Sequence, residues 1–379
     1  MEVKKLDKFY MNIALQLAKK GKGKVNPNPL VGAIIVRDGV ILGRGYHKEY
    51  GKAHAEVNAF LDAKEDITGA TMYVTLEPCS HYGKTPPCVE RIIENKISRV
   101  VIGMIDPNPL VAGKGIEKLK KSGITVTVGV LEEECRKLNE VFIKYITKNE
   151  PFVVLKTAMS LDGKIATSRG ESKWITGEKA RNEVHSLRNE LEAIMVGVDT
   201  VIIDNPELTC RLENGRNPIR IIVDSTLKIP LNSKVLKNQD EAKTIVATKK
   251  EAIEEKVKRL EALGVTVLKI SDDKEYENNN IRNKKVNLNN LMKELGKLNI
   301  DGVLLEGGAT LNYSALQEGI VDKIQVYIAP KIIGGLNSKG PVGGTGIEFL
   351  KDAFKINDLT SKFIGEDILI EGYIEREES

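Results

Sequence analysis

Hydrophobic positions alternate along the chain between helical spacing and short continuous runs. Apolar residues from Leu6 to Leu17 fall every three or four positions and predict an amphipathic N-terminal helix. Two apolar runs then flank Asp38-Gly39, a pair typical of a β-hairpin turn. A helix from about His54 and a strand at Thr71–Leu76 are expected next.

Further elements of the first half keep this alternation. A helix is expected near Val89–Asn95, followed by the strand RVVIGMID, the helix GKGIEKLKKSG, the strand ITVTVGV and one helix, LEEECRKLNEVFIKYI. Such alternation predicts a three-layer α/β domain. The charged stretch before Pro151 is a reasonable boundary, so we assign residues 1–149 to the first domain.

Residues 150–379 restart the pattern and predict a second, unrelated α/β domain. Its expected elements are the strands PFVVLKTAMS, AIMVGVDT, IRIIVDS, TIVAT, VTVLKI and KIQVYIAP, with helices near Glu178–Asn189, in EAIEEKVKRLEALG and at Leu291–Leu298. The Asn-rich stretch Ser271–Asn290 predicts a surface loop.

Composition narrows the function classes. The 379 residues suit two domains, and 57 Lys and Arg against 53 Asp and Glu give a formal charge of +4. With aromatic residues at 5%, a basic, base-stacking groove for nucleic acid is not expected. No apolar run approaches the roughly 20 residues of a membrane helix. Four cysteines are too few for a disulfide scaffold, so we expect a reducing cytoplasm.

Four residues of the first half carry metal chemistry. His54, Cys79 and Cys88 offer the nitrogen and sulfur ligands that zinc prefers, and three ligands leave a position open for water. Glu56 lies beside them and can move protons. The order H-x-E followed by P-C is the zinc-deaminase signature, although eight residues rather than two separate the cysteines here. A structural zinc site with a fourth ligand such as His81, and a metal-free site, remain alternatives at this point.

The motifs NPNPLVG, HAE and PCSHYGKTPPC closely resemble the bifunctional deaminase–reductase family of riboflavin biosynthesis. That resemblance implies a cytidine-deaminase-like domain that hydrolytically deaminates 2,5-diamino-6-ribosylamino-4(3H)-pyrimidinone 5′-phosphate. It also implies zinc held by His54, Cys79 and Cys88, with Glu56 as the proton shuttle. Substrate contacts are implied at Asn28, His47, Lys84, Thr85 and Asp106. Asn28 and Asp106 could instead only shape the proline-rich turns that contain them.

The second half resembles the reductase of the same family through KTAMSLDGKIAT, GESKWITG, VGVDTVIIDNPELTCR and LEGGATLN. This resemblance implies a dihydrofolate-reductase-like fold that uses NADPH to reduce the ribosyl group of 5-amino-6-(5-phosphoribosylamino)uracil to ribityl. The segment GGAT, before a predicted helix, suits a phosphate, but the chain lacks GxGxxG and the glycines could simply turn the chain.

The resemblance also assigns contacts in this half. Cofactor contacts are implied at Ala158, Trp174, Thr200, Asp204, Ser225, Gly308, Ala309, Thr310, Leu311 and Asn312. Substrate contacts are implied at Ser172, Arg188, Leu208, Arg211 and Glu306. Lys156 and Asp162 lie on a strand and turn expected to face the nicotinamide, and Lys156 is a further candidate substrate contact. Guanidinium groups at Arg188 and Arg211 suit the substrate phosphate, although both could be solvated surface charges and Trp174 a core or hinge aromatic. His185 is interpreted as structural.

We therefore expect a cytoplasmic, two-step enzyme that binds a small phosphorylated pyrimidine and no nucleic acid or membrane. The resemblance further implies a homo-oligomer, either a dimer or a tetramer. A nucleic-acid base deaminase and a structural-zinc interaction protein are the competing hypotheses.

Overall fold

A computed structural model describes residues 2–82, 86–109, 111–271 and 285–375. The chain forms two compact units, Met1–Asn149 and Glu150–Ser379, which are described separately. Lys84, Thr85 and residues 272–284 of the Asn-rich stretch lie outside the described residues.

The first unit alternates strands and helices as its hydrophobic pattern predicts. Its strands are β1 Gly32–Arg37, β2 Val40–Tyr46, β3 Thr71–Leu76, β4 Arg99–Met104 and β5 Thr125–Val128. Its helices are α1 Glu2–Ala18, α2 Ala55–Asp62, α3 Cys88–Glu94, α4 Lys114–Lys121, α5 Glu132–Leu138 and α6 Glu140–Lys148.

These strands form one sheet in the order β2-β1-β3-β4-β5. The hairpin β1–β2 turns at Asp38-Gly39, where φ is 50° and 79°, as a two-residue turn of this type requires. Strand β1 runs antiparallel to β3, whereas β3, β4 and β5 are parallel. Buried side chains on both faces of the sheet pack against helices, which gives the predicted three layers.

The last helix predicted in this unit is divided in two. Asn139 separates α5 from α6, with its backbone at φ −110°. Its side chain accepts the Leu30 N–H at 2.8 Å and donates to the Leu30 carbonyl at 3.0 Å. The prediction of one continuous helix was wrong because this long-range contact is invisible in a local hydrophobic pattern.

The second unit is built around a larger sheet. Its strands are β6 Phe152–Ser160, β7 Ala193–Gly197, β8 Ile219–Val223, β9 Thr244–Lys249, β10 Thr266–Ile270, β11 Gly302–Leu305, β12 Lys323–Ala329, β13 Ile356–Ile364 and β14 Asp367–Ile374. Its helices are α7 Glu178–Glu190, α8 Val198–Asp204, α9 Glu254–Glu261, α10 Leu288–Lys297 and α11 Ala309–Gln317.

The strand order is β10-β9-β8-β7-β11-β6-β12-β14-β13. All neighbours from β10 to β12 are parallel, and β14 and β13 complete the sheet as an antiparallel hairpin. Apolar clusters cover the two faces of the parallel part. Parallel strands therefore present their carboxyl ends along one edge, where loops can build a site.

Two features of this unit differ from expectation. The strand predicted as AIMVGVDT ends at Gly197, and α8 begins at Val198 with Gly197 as its N-cap. The C-terminal hairpin β13–β14 was not predicted, and neither of its strands, INDLTSKFI and DILIEGYI, alternates polar and apolar residues strictly.

Across the described residues, we find no helix whose length and hydrophobicity would let it cross a membrane.

Candidate functional sites

Topology gathers the candidate residues of the first unit at one edge of its sheet. Cys79 follows β3 and Asp106 follows β4, whose carboxyl ends are adjacent because these strands are parallel. Because β1 runs antiparallel to β3, the segment with Asn28 enters the sheet at the same edge. His47 follows β2 and is there as well, since Tyr46 pairs with Gly32 at the start of β1.

Three side chains at this edge form a metal-binding cluster. The Nδ1 atom of His54 lies 3.6 Å from the Cys79 sulfur and 3.3 Å from the Cys88 sulfur. Around a tetrahedral zinc ion with Zn–N near 2.1 Å and Zn–S near 2.3 Å, neighbouring ligand atoms are about 3.6 Å apart. Among the described residues, these three form the only such cluster with ligand atoms within 4.8 Å of one another. The donor set and its spacing therefore fit zinc.

The environment of the two cysteines favours an ionised thiol, which is the form that binds a metal cation. Hydrogen bonds from Cys88 and His54 lower the pKa of Cys79, while the neighbouring Cys79 sulfur and burial raise the pKa of Cys88. The two sulfurs thus share one proton, and a divalent metal binds thiolates in preference to that proton. Cys88 is buried at the start of α3.

Glu56 lies in the first turn of α2 and is 3% exposed. Burial raises the pKa of its carboxyl group to about 7, and the Cys79 thiolate adds to this effect. A carboxyl group that gains and loses a proton near neutral pH suits general acid–base chemistry.

Asn28 and His47 contact each other although sequence reasoning gave them separate roles. The Asn28 Nδ2 atom lies 3.1 Å from His47 Nε2, and His47 Nδ1 lies 3.2 Å from the Ala53 carbonyl oxygen. The carbonyl requires a proton on Nδ1, so Nε2 accepts from Asn28. Burial lowers the pKa of His47, which favours this neutral form. The amide oxygen of Asn28 is then the atom left to accept a hydrogen bond.

Sequence reasoning missed Glu77, which orders the loop that carries Asp106. The Glu77 carboxylate is 3% exposed and accepts the backbone N–H groups of Asp106 and Gly113 at 3.2 and 2.9 Å. It also accepts those of Gly115 and Ile116 in the first turn of α4, at 2.9 and 3.2 Å. A carboxylate is favourable at a helix N-terminus. In the sequence, only the position of Glu77 just before Pro78-Cys79 could have pointed to a role at this site.

Asp106 accepts the Asn108 N–H at 2.9 Å, as the alternative of a turn-forming role requires. Burial raises the pKa of its carboxyl group, and Glu77 and Cys79 are close enough to raise it further. Asp106 therefore lies at the same edge of the sheet as the metal cluster, and both interpretations of it stay open. His81 is exposed and lies outside that cluster.

Two adjoining cavities of the second unit are lined by predicted site residues. The smaller, about 610 Å³, is lined by Lys156, Arg188, Leu208 and Arg211 among others. The larger, about 840 Å³, is lined by Thr200, Ser225 and the segment from Gly308 to Leu311 among others. Both volumes are typical of small-molecule sites. Ile165, Ser172, Asp204 and Glu306 line both cavities, so the two meet there.

A buried charge cluster lies where the cavities meet. Arg188 Nε and a terminal nitrogen donate to the two oxygens of Glu306 at 2.9 and 3.0 Å, and Arg188 also donates to the Thr209 carbonyl. Lys156 Nζ lies 3.7 Å from Glu306. Burial alone raises the pKa of Glu306, but Arg188 and then Lys156 hold it down at about 2. Arg188 is not a solvated surface charge, because its side chain is only 15% exposed.

The remaining candidates divide between the cavities. Ala158 and Trp174, both expected at the cofactor, line the smaller cavity, and Asn312 lines neither. Trp174 is 59% exposed, so it is not a core aromatic, and it packs against Arg181 at 4.7 Å. The Asp162 carboxylate accepts the Ile333 and Gly334 N–H groups and thus fixes the glycine-rich loop.

His185, interpreted from sequence as structural, lines the smaller cavity on α7. Its Nδ1 atom is buried without a hydrogen-bond partner. Burial and the adjacent Arg188 lower the pKa of its imidazole to about 4. Its spacing of three residues from Arg188 on one helix was a usable signal.

Known proteins are similar to both units. The zinc-binding region of cytidine and deoxycytidylate deaminases matches residues 4–104, and the RibD C-terminal domain matches residues 151–370. The riboflavin biosynthesis protein RibD of Actinobacillus pleuropneumoniae is 49% identical over 365 residues, covering 96% of this chain and 94% of that protein.

Two solved structures are similar over nearly the whole chain. RibD of Acinetobacter baumannii, form 1, has a TM-score of 0.85 and 37% identity, covering 98% of this chain and 100% of that one. A Thermotoga maritima protein described as a diaminohydroxyphosphoribosylaminopyrimidine deaminase/5-amino-6-(5-phosphoribosylamino)uracil reductase has a TM-score of 0.83 and 40% identity, covering 98% and 99%.

Proposed function

The chain belongs to the RibD family of riboflavin biosynthesis proteins, and from that premise we propose which of its residues carry the two reactions. The family is a bifunctional deaminase and reductase, so the predicted folds, activities and cofactors, zinc and NADPH, are confirmed. The first unit converts a ring amino group of the diaminopyrimidine to an oxo group. The second reduces the ribosyl group to ribityl. The geometry of His54, Cys79 and Cys88 is the single observation that supports the deaminase assignment most strongly.

In the first unit, we propose that His54, Cys79 and Cys88 hold the metal. Bound zinc supplies Lewis-acid activation of water beside its three ligands. Glu56 would take one proton at a carboxylate oxygen from the water that adds to the ring carbon and pass it to the departing amino nitrogen, which leaves as ammonia; the oxygen stays as the oxo group and the second proton goes to the adjacent ring nitrogen. Burial of Glu56 supports this role because its raised pKa lets the group both accept and donate a proton near neutral pH.

Asn28 and His47 are proposed to bind the pyrimidine edge. The Asn28 side chain is held by its contact with His47 Nε2, and this orientation directs the amide oxygen to accept from a ring N–H or amino group. Asp106 is proposed as a further acceptor, ordered by Glu77. Lys84 and Thr85 remain proposed substrate contacts, carried by the family resemblance.

In the second unit, we propose that the larger cavity takes NADPH and the smaller cavity takes the ribosyl substrate. Bound NADPH supplies the hydride. Glu306, ionised between Arg188 and Lys156, lies where both molecules meet. Lys156 carries exchangeable protons at Nζ and is proposed to protonate the ring oxygen as the ribosyl ring opens. Arg211 is the proposed partner of the substrate phosphate, since most of the Arg188 fork is already used by Glu306 and Thr209.

Product analysis by mass spectrometry tests this assignment. Zinc-loaded protein and the diaminopyrimidine ribosyl phosphate should give amino-to-oxo exchange without NADPH. Adding NADPH should then add two hydrogens to that product. Absence of exchange by zinc-loaded protein would contradict the deaminase assignment, and exchange without reduction would contradict the assignment of the second unit.

A homo-oligomer is proposed from the exposed edge of the second sheet. Strand β13 is the last strand of that sheet, and Leu359 and Phe363 on it are 60% and 76% exposed. An edge strand with exposed apolar side chains can pair with another strand, so a second copy of this chain is the proposed occupant. Light scattering should give a dimer or tetramer, and the double variant Leu359→Lys, Phe363→Lys should give a smaller species. A monomeric parent protein would refute this.

A cytoplasmic location is likewise proposed. All four cysteines are free in the structure, and the reactive Cys79–Cys88 pair would be oxidised in a disulfide-forming compartment.

A further inference from the structure

The larger cavity of the second unit has two chemically different ends. At one end it meets the smaller cavity through Ser172, Asp204 and Glu306. Hydride transfer requires direct contact between cofactor and substrate, so the nicotinamide belongs at this end. This placement rests on the function proposed above.

The middle of the cavity suits the pyrophosphate. Gly307 and Gly308 follow β11, and Gly308 is the N-cap of α11 without any side-chain cap. A Cβ atom on Gly307 would come within 2.6 Å of Asn312 Oδ1, so a larger residue here would displace the Asn312 side chain. The uncapped first-turn N–H groups and the positive end of the helix dipole favour an anion here.

The far end of the cavity must therefore hold the adenosine. Strand β8 lies two places from β11 in the sheet, about 10 Å away at the usual strand spacing. The loop after β8 contributes Ser225 and Lys228 to the cavity wall, and Lys285 faces the same space. Ser225 Oγ accepts the Val286 N–H at 3.1 Å, which links the loop to the segment that carries Lys285.

The lysines at this end differ in their partners. Lys228 Nζ is 2.6 Å from Asp199, so its charge is already neutralised. Lys285 Nζ donates to the Ser314 hydroxyl at 3.2 Å, and no carboxylate in the described part of the chain forms an ion pair with it. Burial raises the pKa of Glu318, which Lys285 offsets only in part, and this carboxylate instead accepts the Leu288 N–H at 2.7 Å.

We propose that Lys285, with the Ser225 hydroxyl, binds the 2′-phosphate of NADPH and makes the enzyme prefer NADPH to NADH. A phosphate monoester offers three acceptor oxygens and close to two negative charges, which one free ammonium group and one hydroxyl donor match. Ser225 keeps its hydroxyl hydrogen for donation because its contact with Val286 uses only a lone pair. NADH lacks this phosphate and leaves Lys285 unpaired.

The test measures dissociation constants of NADPH and NADH for the full-length protein by isothermal titration calorimetry. Lys285→Ala should weaken NADPH binding about tenfold or more, as loss of a charge-assisted hydrogen bond predicts, and leave NADH binding unchanged. The dependence of NADPH binding on salt should also become weaker. Lys293→Ala, a similar change on α10 away from the cavity, is the matched control and should change neither constant.

Two results would overturn this assignment alone. Equal weakening of both nucleotides by Lys285→Ala would indicate a structural role, and loss of the preference in Lys228→Ala but not in Lys285→Ala would assign the phosphate to Lys228. A parent protein that binds neither nucleotide would instead overturn the proposed cofactor site together with the role of Lys285.

Discussion

Replacement of Arg188 by methionine tests the buried charge cluster between the two cavities of the reductase unit. The Glu306 carboxylate is held by two Arg188 hydrogen bonds at 2.9 and 3.0 Å, and both side chains are at most 15% exposed. Removing one partner of a buried pair costs about 3–5 kcal/mol. Because Lys156 remains 3.7 Å away, we expect about 3 kcal/mol, the lower end of that range.

The pH dependence should change sign in this variant. In the parent protein the pKa of Glu306 falls from its ordinary 4.5 to about 2. A lowered pKa stabilises the fold above pH 4.5 by about 3 kcal/mol, and this stability disappears as the pH falls towards 2. Without Arg188, burial raises the pKa of Glu306 above its ordinary value, so the variant gains stability on acidification. The difference between the two proteins should therefore shrink from pH 7 to pH 4.

Calorimetry of the full-length protein measures the effect. A zinc chelator should shift the unfolding transition of the deaminase unit, so the transition that it leaves unchanged is assigned to the reductase unit. For a unit of this size, about 3 kcal/mol lowers Tm by roughly 6–12 °C at pH 7. Arg259→Met is the matched control, since its pair with Glu255 has side chains 61% and 73% exposed and contributes less than about 1 kcal/mol. A loss of Tm that stays constant from pH 7 to pH 4 would refute the reasoning.

Three predictions concern the deaminase unit. Glu56→Gln should lower the amino-to-oxo exchange rate by roughly 10²–10⁴ while zinc content and NADPH-dependent reduction stay unchanged; loss of zinc would show that Glu56 supports the metal instead. Glu77→Gln should lower the Tm of this unit by roughly 10 °C, because about 3 kcal/mol is lost when a backbone N–H faces an amide NH₂, and an unchanged Tm would contradict the four hydrogen bonds assigned to Glu77. Asp7→Asn should destabilise the protein by about 2 kcal/mol at pH 7. This value lies between those typical of exposed and of buried ion pairs, because the Asp7–Arg99 pair is only partly buried. Although burial opposes it, the Arg99 hydrogen bonds lower the pKa of Asp7, so urea titrations should show this difference vanishing as the pH falls through 3.8 and below, and a difference that persists would argue against the pair.

The fold class could be predicted because hydrophobic spacing and turn residues act locally. Asp38-Gly39 identifies the first hairpin, and the alternation of strands and helices identifies both sheets. The break at Asn139 could not be predicted, because its cause is a hydrogen bond to Leu30, more than 100 residues away. The helix α8 was missed because Val198 extends the short apolar run of β7, and periodicity cannot tell the end of such a strand from the first residue of a helix.

The proposed metal ligands could be identified from sequence because few combinations of residue types suit zinc, and the structure brings the ligand atoms of all three within 4.8 Å of one another. The partners of the other candidates were not predictable. Nothing in the sequence indicates that Arg188 pairs with Glu306, because the two lie 118 positions apart. Nor does the sequence show that the Asn28 nitrogen contacts His47, which leaves the Asn28 oxygen to accept a hydrogen bond. Glu77 resembled any acidic residue at the end of a strand. Two of its four donors come from the loop after β4 and two from the first turn of α4, and only the folded chain brings them to Glu77.

Both candidate sites lie at the carboxyl ends of parallel strands, but they are built to bind different kinds of ligand. Carboxyl ends of parallel strands expose backbone groups at one edge, and connecting loops deliver side chains there, which places Cys79 after β3 and Glu306 after β11. In the deaminase unit, this edge brings one nitrogen and two sulfur ligands close enough to share a metal ion. The distances between these atoms are a few ångströms, so replacing one ligand should abolish metal binding. In the reductase unit, the corresponding edge of its own sheet extends over the neighbouring strands β8, β7 and β11. It is therefore long enough for an extended anionic cofactor. Its specificity then depends on charges at the far end, such as Lys285, and its chemistry on charges at the near end, such as Glu306. A change at Lys285 should therefore alter cofactor choice without altering the chemical step, whereas a change at Glu306 should do the opposite.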